Sequence, residues 1–255
     1  MNPSSSAPAG GAGDSSIELD VTLPPAQPEI TIEDLEGMFA LTDEAASDGR
    51  VARGQRTRRI VGEALIALLR ESDTEPTARA VAERAGVSLR LVFHHFSDLD
   101  DLYHYVAALQ LREQWSGMPE LSPKLSLVKR IERVVSHRAT LFEEISPVRR
   151  AMVRHMITSP GVSDVVLVAD ALLLQSLKAT FAPELAEMSY ASRGEYLDAM
   201  DTAVSWEAWE RMRRTSGLQV RVAKRVMARM LAALCTEPIG SGRPRTDTEP
   251  VGAPC

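Results

Sequence analysis

From about residue 50 to residue 236, apolar residues recur at intervals of three and four, the spacing that gathers them on one face of an α-helix. The first stripe is Ile60, Ala64, Leu65, Leu68 and Leu69, and it follows a basic lead-in of Arg53, Arg56, Arg58 and Arg59. Pro76 and Thr77 open a second segment, with Val81 and Ala85 on one face and Gly86 as its stop. Ser88 is placed to cap a third helix. A fourth is expected from Ser97 or Asp98, where Asp98, Asp100 and Asp101 suit the positive end of the helix dipole, through Leu102, Tyr103, Val106 and Leu109. Four short helices are thus expected within residues 55–114.

Beyond Trp115 the helical pattern continues, punctuated by Gly117, Pro119, Pro123, Pro160, Gly161, Pro183 and Gly217. Pro147 is expected to start or kink a helix rather than join a strand. The last two long helices are expected over residues 191–214 and 218–235, the second with Leu218, Val222, Val226 and Met230 at spacings of four. No stretch alternates β-branched and polar residues, so the expected fold is all-α, with domains at residues 50–112 and 113–236. The segments 1–49 and 237–255 are rich in Pro, Gly and Ser and are expected to be disordered. Within the first, Ile30–Leu41 carries Ile32, Leu35, Met38 and Phe39 at helical spacing, as a transient helix or one that folds against another element.

Charge sharpens this division. The net charge of −6 is carried by the leader, which holds ten acids and no base, while residues 50–112 and 113–255 each carry +2. The acidity therefore does not argue against an anionic partner for the domain that follows. The two cysteines, Cys235 and Cys255, are no disulfide framework and fit a reducing compartment. The longest apolar run, Val165 to Leu174, is short for a membrane span and is interrupted by Asp170. The start of the chain lacks a signal-peptide pattern. A cytoplasmic protein with no membrane partner is expected.

The segment TARAVAERAGVSLRLVFHHF, residues 77–96, contains a helix, a tight turn at Ala85, Gly86 and Val87, and a second short helix. Gly86 supplies the positive φ, Val87 plugs the angle between helices and Ser88 caps backbone N–H groups. Val81, Ala82, Val87, Val92 and Phe96 then face inward, and Leu89, Arg90, Phe93 and His94 outward. A recognition helix presents side chains to a major groove from such a face.

In AGVSLRLVFHHF, with its basic helix before and SDLDDLYHYV after, the chain resembles the TetR/AcrR family of transcription regulators over residues 55–108. The resemblance implies an amino-terminal three-helix helix-turn-helix DNA-binding domain joined to a helical ligand-binding and dimerisation domain. ISPVRR at 145–150, FAPEL at 181–185 and WEAWERMRR at 206–214 are similar to that second half. DNA contacts are expected from Arg53, Arg56, Thr77, Arg79, Ser88, Leu89, Arg90, Phe93, His94 and His95. The chain departs from the family pattern at Leu91, Phe93 and Leu99, where a small or hydroxyl residue, a tyrosine and a lysine are common. Leu89 and Leu91 either pack on neighbouring helices or, for Leu89, touch a thymine methyl. Arg90 is expected either to reach guanine or phosphate or to stand as a solvated charge.

The implied partners are double-stranded DNA with a roughly palindromic operator, a second copy of the chain, and a small apolar effector that releases the DNA. Effector contacts are expected from Gln110, Trp115, Phe142, Met152, His155 and Met156, and the dimer interface from Trp206, Trp209, Leu218, Val222, Val226 and Met230. No cofactor, metal site or catalytic group is expected, since the histidines lack ligand spacing and no nucleophile elbow or phosphate loop occurs. Two alternatives stand beside this: a DNA binder without effector that works through a protein partner, and a ligand-binding or scaffolding dimer with a decayed helix-turn-helix.

Overall fold

The computed structural model describes Leu35, Gly37 and residues 49–116, 122–188 and 190–236. Every regular element among them is a helix. In order they are α1 (Gly49–Glu71), α2 (Ala78–Ala85), α3 (Leu89–His95), α4 (Leu99–Ser116), α5 (Leu127–His155), α6 (Pro160–Thr180), α7 (Ala182–Ala186), α8 (Tyr190–Ala203), α9 (Trp206–Glu210), a π-helical turn at Arg211–Thr215, and α10 (Val220–Thr236).

The buried side chains form two cores. The first joins Val61, Leu65 and Leu69 of α1 to Val81 of α2, Val92 of α3 and Phe96, and then to α4. It does not stop at residue 112. Val148 and Met152 of α5 and Val162, Val165 and Val166 of α6 belong to the same core. Residues 105–111 of α4 are all buried, so this helix is enclosed on every side rather than amphipathic, and it carries the first three helices onto the rest of the chain. The second core gathers Phe142 and Ile145 of α5, Leu177 and Phe181, Met200, Trp209, and Met227 and Leu231 of α10.

Three local features shape the carboxyl-terminal half. Pro147 lies inside α5 without ending it. The expected helix over 191–214 is broken: α8 ends at Ala203, and Ser205 caps α9 by accepting the Ala208 N–H at 3.1 Å. Ser205 offers the backbone an acceptor that competes with helix continuation, which apolar spacing does not register. α6, with a hydropathy of 1.4 over its most apolar window, is long and apolar enough to cross a membrane; it packs against α4 and α5 as a core helix.

In the leader, Leu35 is helical, buried and part of the first core. Gly37 is helical and exposed; the other residues of the expected 30–41 helix, the rest of the leader before Gly49 and the 237–255 tail lie outside the described residues.

Candidate nucleic-acid interface and core cavity

Residues 77–96 fold by local chemistry. Thr77 caps α2 by accepting the Ala80 N–H at 3.2 Å, and Gly86 ends it at φ +68°, a left-handed conformation costly for a residue with a Cβ. Gly86 and Val87 N–H groups then donate to the Glu83 and Ala82 carbonyls at 3.2 and 3.0 Å. Ser88 caps α3 by accepting the Leu91 N–H at 3.1 Å, and the Phe96 N–H closes it on the Val92 carbonyl. The α4 start is held reciprocally: Asp98 accepts the Asp101 N–H at 2.8 Å while Asp101 accepts the Ser97 N–H at 3.0 Å.

The outer face of α3 consists of Arg90, Phe93 and His94, all exposed, at the i, i+3, i+4 spacing that puts them side by side. Phe93 is 48% exposed. Leu89 packs, partly buried, against the first core, so of the two readings for it the structure favours packing. His95 is half-buried, with burial first and then His94 and Arg58 holding its imidazole below the usual pKa, and it lies off the exposed face. Thr77 and Ser88 spend an oxygen lone pair on capping, which leaves each hydroxyl hydrogen to donate outward. Arg53, Arg56 and Arg79 are exposed.

The basic lead-in divides by role. Arg58 turns inward: it donates to the His95 carbonyl at 2.8 Å, and its guanidinium lies 4.5 Å from the Phe96 ring centroid and 5.0 Å from that of Tyr105. Arg59 pairs with Glu63 at 2.9 Å. Arg58 thus fixes α1 against the end of α3, a role that the run of arginines does not announce.

Between α4, α5 and α6 lies a cavity of about 30 Å³, lined by Gln110, Phe142 and Met152 among the expected effector contacts. His155 does not line it. Its ring stacks on Tyr103 at 3.7 Å between centroids and stands 3.0 Å from Asp100 and 2.8 Å from Glu75. Met156 packs on the first core, and the Trp115 side chain lies outside the described residues. The sequence reading missed Arg149, which lines the cavity and donates to Asp170 at 2.6 Å. The signal was Asp170 itself, a carboxylate interrupting an apolar run. A second cavity of about 200 Å³ shares Gln110, Gln114 and Ile145 with the first.

Of the residues expected at the dimer interface, Trp206 and Trp209 are buried inside the protomer. Their indole N–H groups donate to Ser146 Oγ at 3.0 Å and Glu143 Oε1 at 2.9 Å, so both rings serve the chain's own second core. On α10, Ala223, Met227 and Leu231 face inward, while Val222, Val226 and Met230 are half-buried at its edge, as is Leu218 just before it.

No protein-family model matches the chain, and no curated protein matches it in sequence. Among solved structures, a transcriptional regulator from Rhodococcus sp. Rha1 is similar, with a TM-score of 0.57 over 69% of this chain and 95% of that one. The likeness is one of fold. At 16% identity it shows a shared helical arrangement and leaves the chemistry to this chain's residues.

Proposed function

We propose that this chain is a non-enzymatic, sequence-specific DNA-binding transcription regulator of the TetR/AcrR type, working in the cytoplasm as a homodimer. The observation that carries the proposal is the outer face of α3. Gly86 and Ser88 set this short helix at an angle to α2, and Arg90, Phe93 and His94 stand exposed together on it. A guanidinium at that position reaches guanine O6 and N7, and an exposed ring meets a thymine methyl. Arg53, Arg56 and Arg79 flank the face with positive charge for the phosphates.

In a homodimer, two such faces enter major grooves about 34 Å apart, so the operator is roughly palindromic. The half-buried apolar edge of α10 is the surface proposed for the partner copy, without Trp206 and Trp209. An effector in the cavity among α4, α5 and α6 favours a different separation of the α3 helices and releases the DNA, and by linkage operator DNA weakens effector binding by the same factor.

Footprinting on the DNA upstream of the chain's own gene, repeated over a range of salt, tests the proposal. A protected segment is expected, with affinity falling steeply as salt rises. Arg53→Ala with Arg56→Ala is expected to flatten that slope by about one to two units. Protection that is absent on every segment, or a slope unmoved by the double variant, contradicts it.

A further inference from the structure

Arg149 is 7% exposed, and its immediate surroundings do not satisfy it. Its Nη2 donates to Asp170 and stands 3.9 Å from Glu207, its plane lies over Trp206 at 5.6 Å, and its Nε is buried with no hydrogen-bond partner. Leaving a buried donor unpaired costs about 1–3 kcal/mol, more when the group is charged. Such a donor, lining a cavity, is a place where an acceptor gains more than it would in water.

We propose that the cavity takes a small monocarboxylic acid, its carboxylate seated on Arg149 and its body reaching past Gln110 into the adjoining cavity. The inference rests on the effector-responsive function proposed above and names the chemical class of that effector.

Each feature of the ligand follows from the walls. The cavity beside Arg149, about 30 Å³, is too small for a ring, and the buried atom among its lining residues that lacks a partner is Arg149 Nε. A planar two-oxygen acceptor fits the guanidinium fork. A cation at the head-group position meets the Arg149 guanidinium. The adjoining cavity of about 200 Å³ holds a body of roughly one ring. Leu141 and Ile145 line it beside Glu113 and Glu144, and these two acids repel a second carboxylate, which selects monoacids.

Asp170 is the competitor for Arg149. Burial raises its carboxyl above the usual range while Arg149 opposes the shift. An incoming carboxylate bears the same burial, and it gains on Asp170 by also meeting the unpartnered Arg149 Nε.

Calorimetric titration of the full chain with benzoate, phenylacetate and hexanoate, against benzamide, benzyl alcohol and benzylamine, tests the assignment. The acids are expected to bind at least roughly tenfold more tightly than the neutral and cationic isosteres. Asp170→Asn, which removes the competitor, is expected to tighten the acids by about threefold to tenfold, and Arg149→Gln to weaken them by about tenfold or more. If Arg149→Gln does not fold, Asp170→Asn decides alone. Three results overturn the proposal: no acid binds, the amide or amine binds as well as the acid, or Asp170→Asn leaves acid affinity unchanged. The footprint contains no ligand, so DNA binding without acid binding sinks this inference and spares the proposed function, while acid binding without a footprint does the reverse.

Discussion

Arg214, on the π-helical turn, donates from both Nη atoms to the two carboxylate oxygens of Asp73 at 3.2 and 3.0 Å, joining residues 141 positions apart. Asp73 sits between α1 and α2, and Arg150 of α5 stands 3.5 Å from the same carboxylate and 3.6 Å from Glu210. Asp73 thus ties the segment before α2 to the second half, as Glu75 does through His155. Arg150 follows Arg149, the cavity guanidinium, on the same helix, so a shift of that turn acts directly on the tie.

Asp73→Asn is accordingly expected to cost little stability, less than about 1 kcal/mol, because its partners remain solvated. Its effect falls on coupling: benzoate is expected to release operator DNA less completely from the variant than from the parent. Gel shifts with and without the acid measure this, and equal release from both proteins argues against Asp73 as the link.

Arg90→Ala is expected to relax base preference at one position of each half-site, worth about 1–3 kcal/mol there, with little change at other positions. Binding measured against all single-base variants of the operator distinguishes the cases. A uniform loss across sequences assigns Arg90 to phosphate instead.

Arg58→Ala is expected to lower stability by about 1–3 kcal/mol in urea unfolding, since it removes a hydrogen bond to the His95 carbonyl and two ring contacts. The ratio of operator to nonspecific affinity is expected to hold at temperatures where the variant is folded. A changed ratio with unchanged stability would mean that Arg58 reads DNA.

Burial pushes the Asp201 carboxyl from 3.8 up to about 6, against the pull of Arg138 and helped by Asp170, Glu207 and Asp198. Between those values the folded chain binds more protons at this site than the unfolded chain. The group's favourable share is thus complete below about pH 4 and lost as pH rises through about 6. Asp201→Asn is expected to match the parent near pH 4 and to exceed it by about 1–2 kcal/mol at pH 7, after allowance for partial solvation. Urea midpoints at the two pH values test this, and a less stable variant at pH 7 contradicts it.

The parts legible in the sequence are those governed by neighbours in the chain. Gly86, Ser88 and Thr77 mark a turn and two caps whose hydrogen bonds span three to five residues, and Arg90, Phe93 and His94 share a face by helical spacing alone. Periodicity also puts Trp206 and Trp209 on one face, but it does not say whether that face meets the chain's own core or another copy. Ser146 and Glu143, some 60 residues earlier, decide that by receiving the indole N–H groups. Arg149 and Asp170 meet across two helices, and Arg58 is drawn inward by rings at 96 and 105. Such choices depend on which helices pack together, which spacing within one helix does not encode.

Selection of binding sites from a pool of random duplex DNA bears most directly on the central claim. The enriched sequence is expected to be a pseudo-palindrome whose half-sites lie one helical turn, about 10 base pairs, or a multiple of it apart. Arg90→Ala is expected to lose one preferred base in each half. No enrichment, or an enriched sequence that Arg90→Ala recovers unchanged, would contradict DNA reading by the outer face of α3.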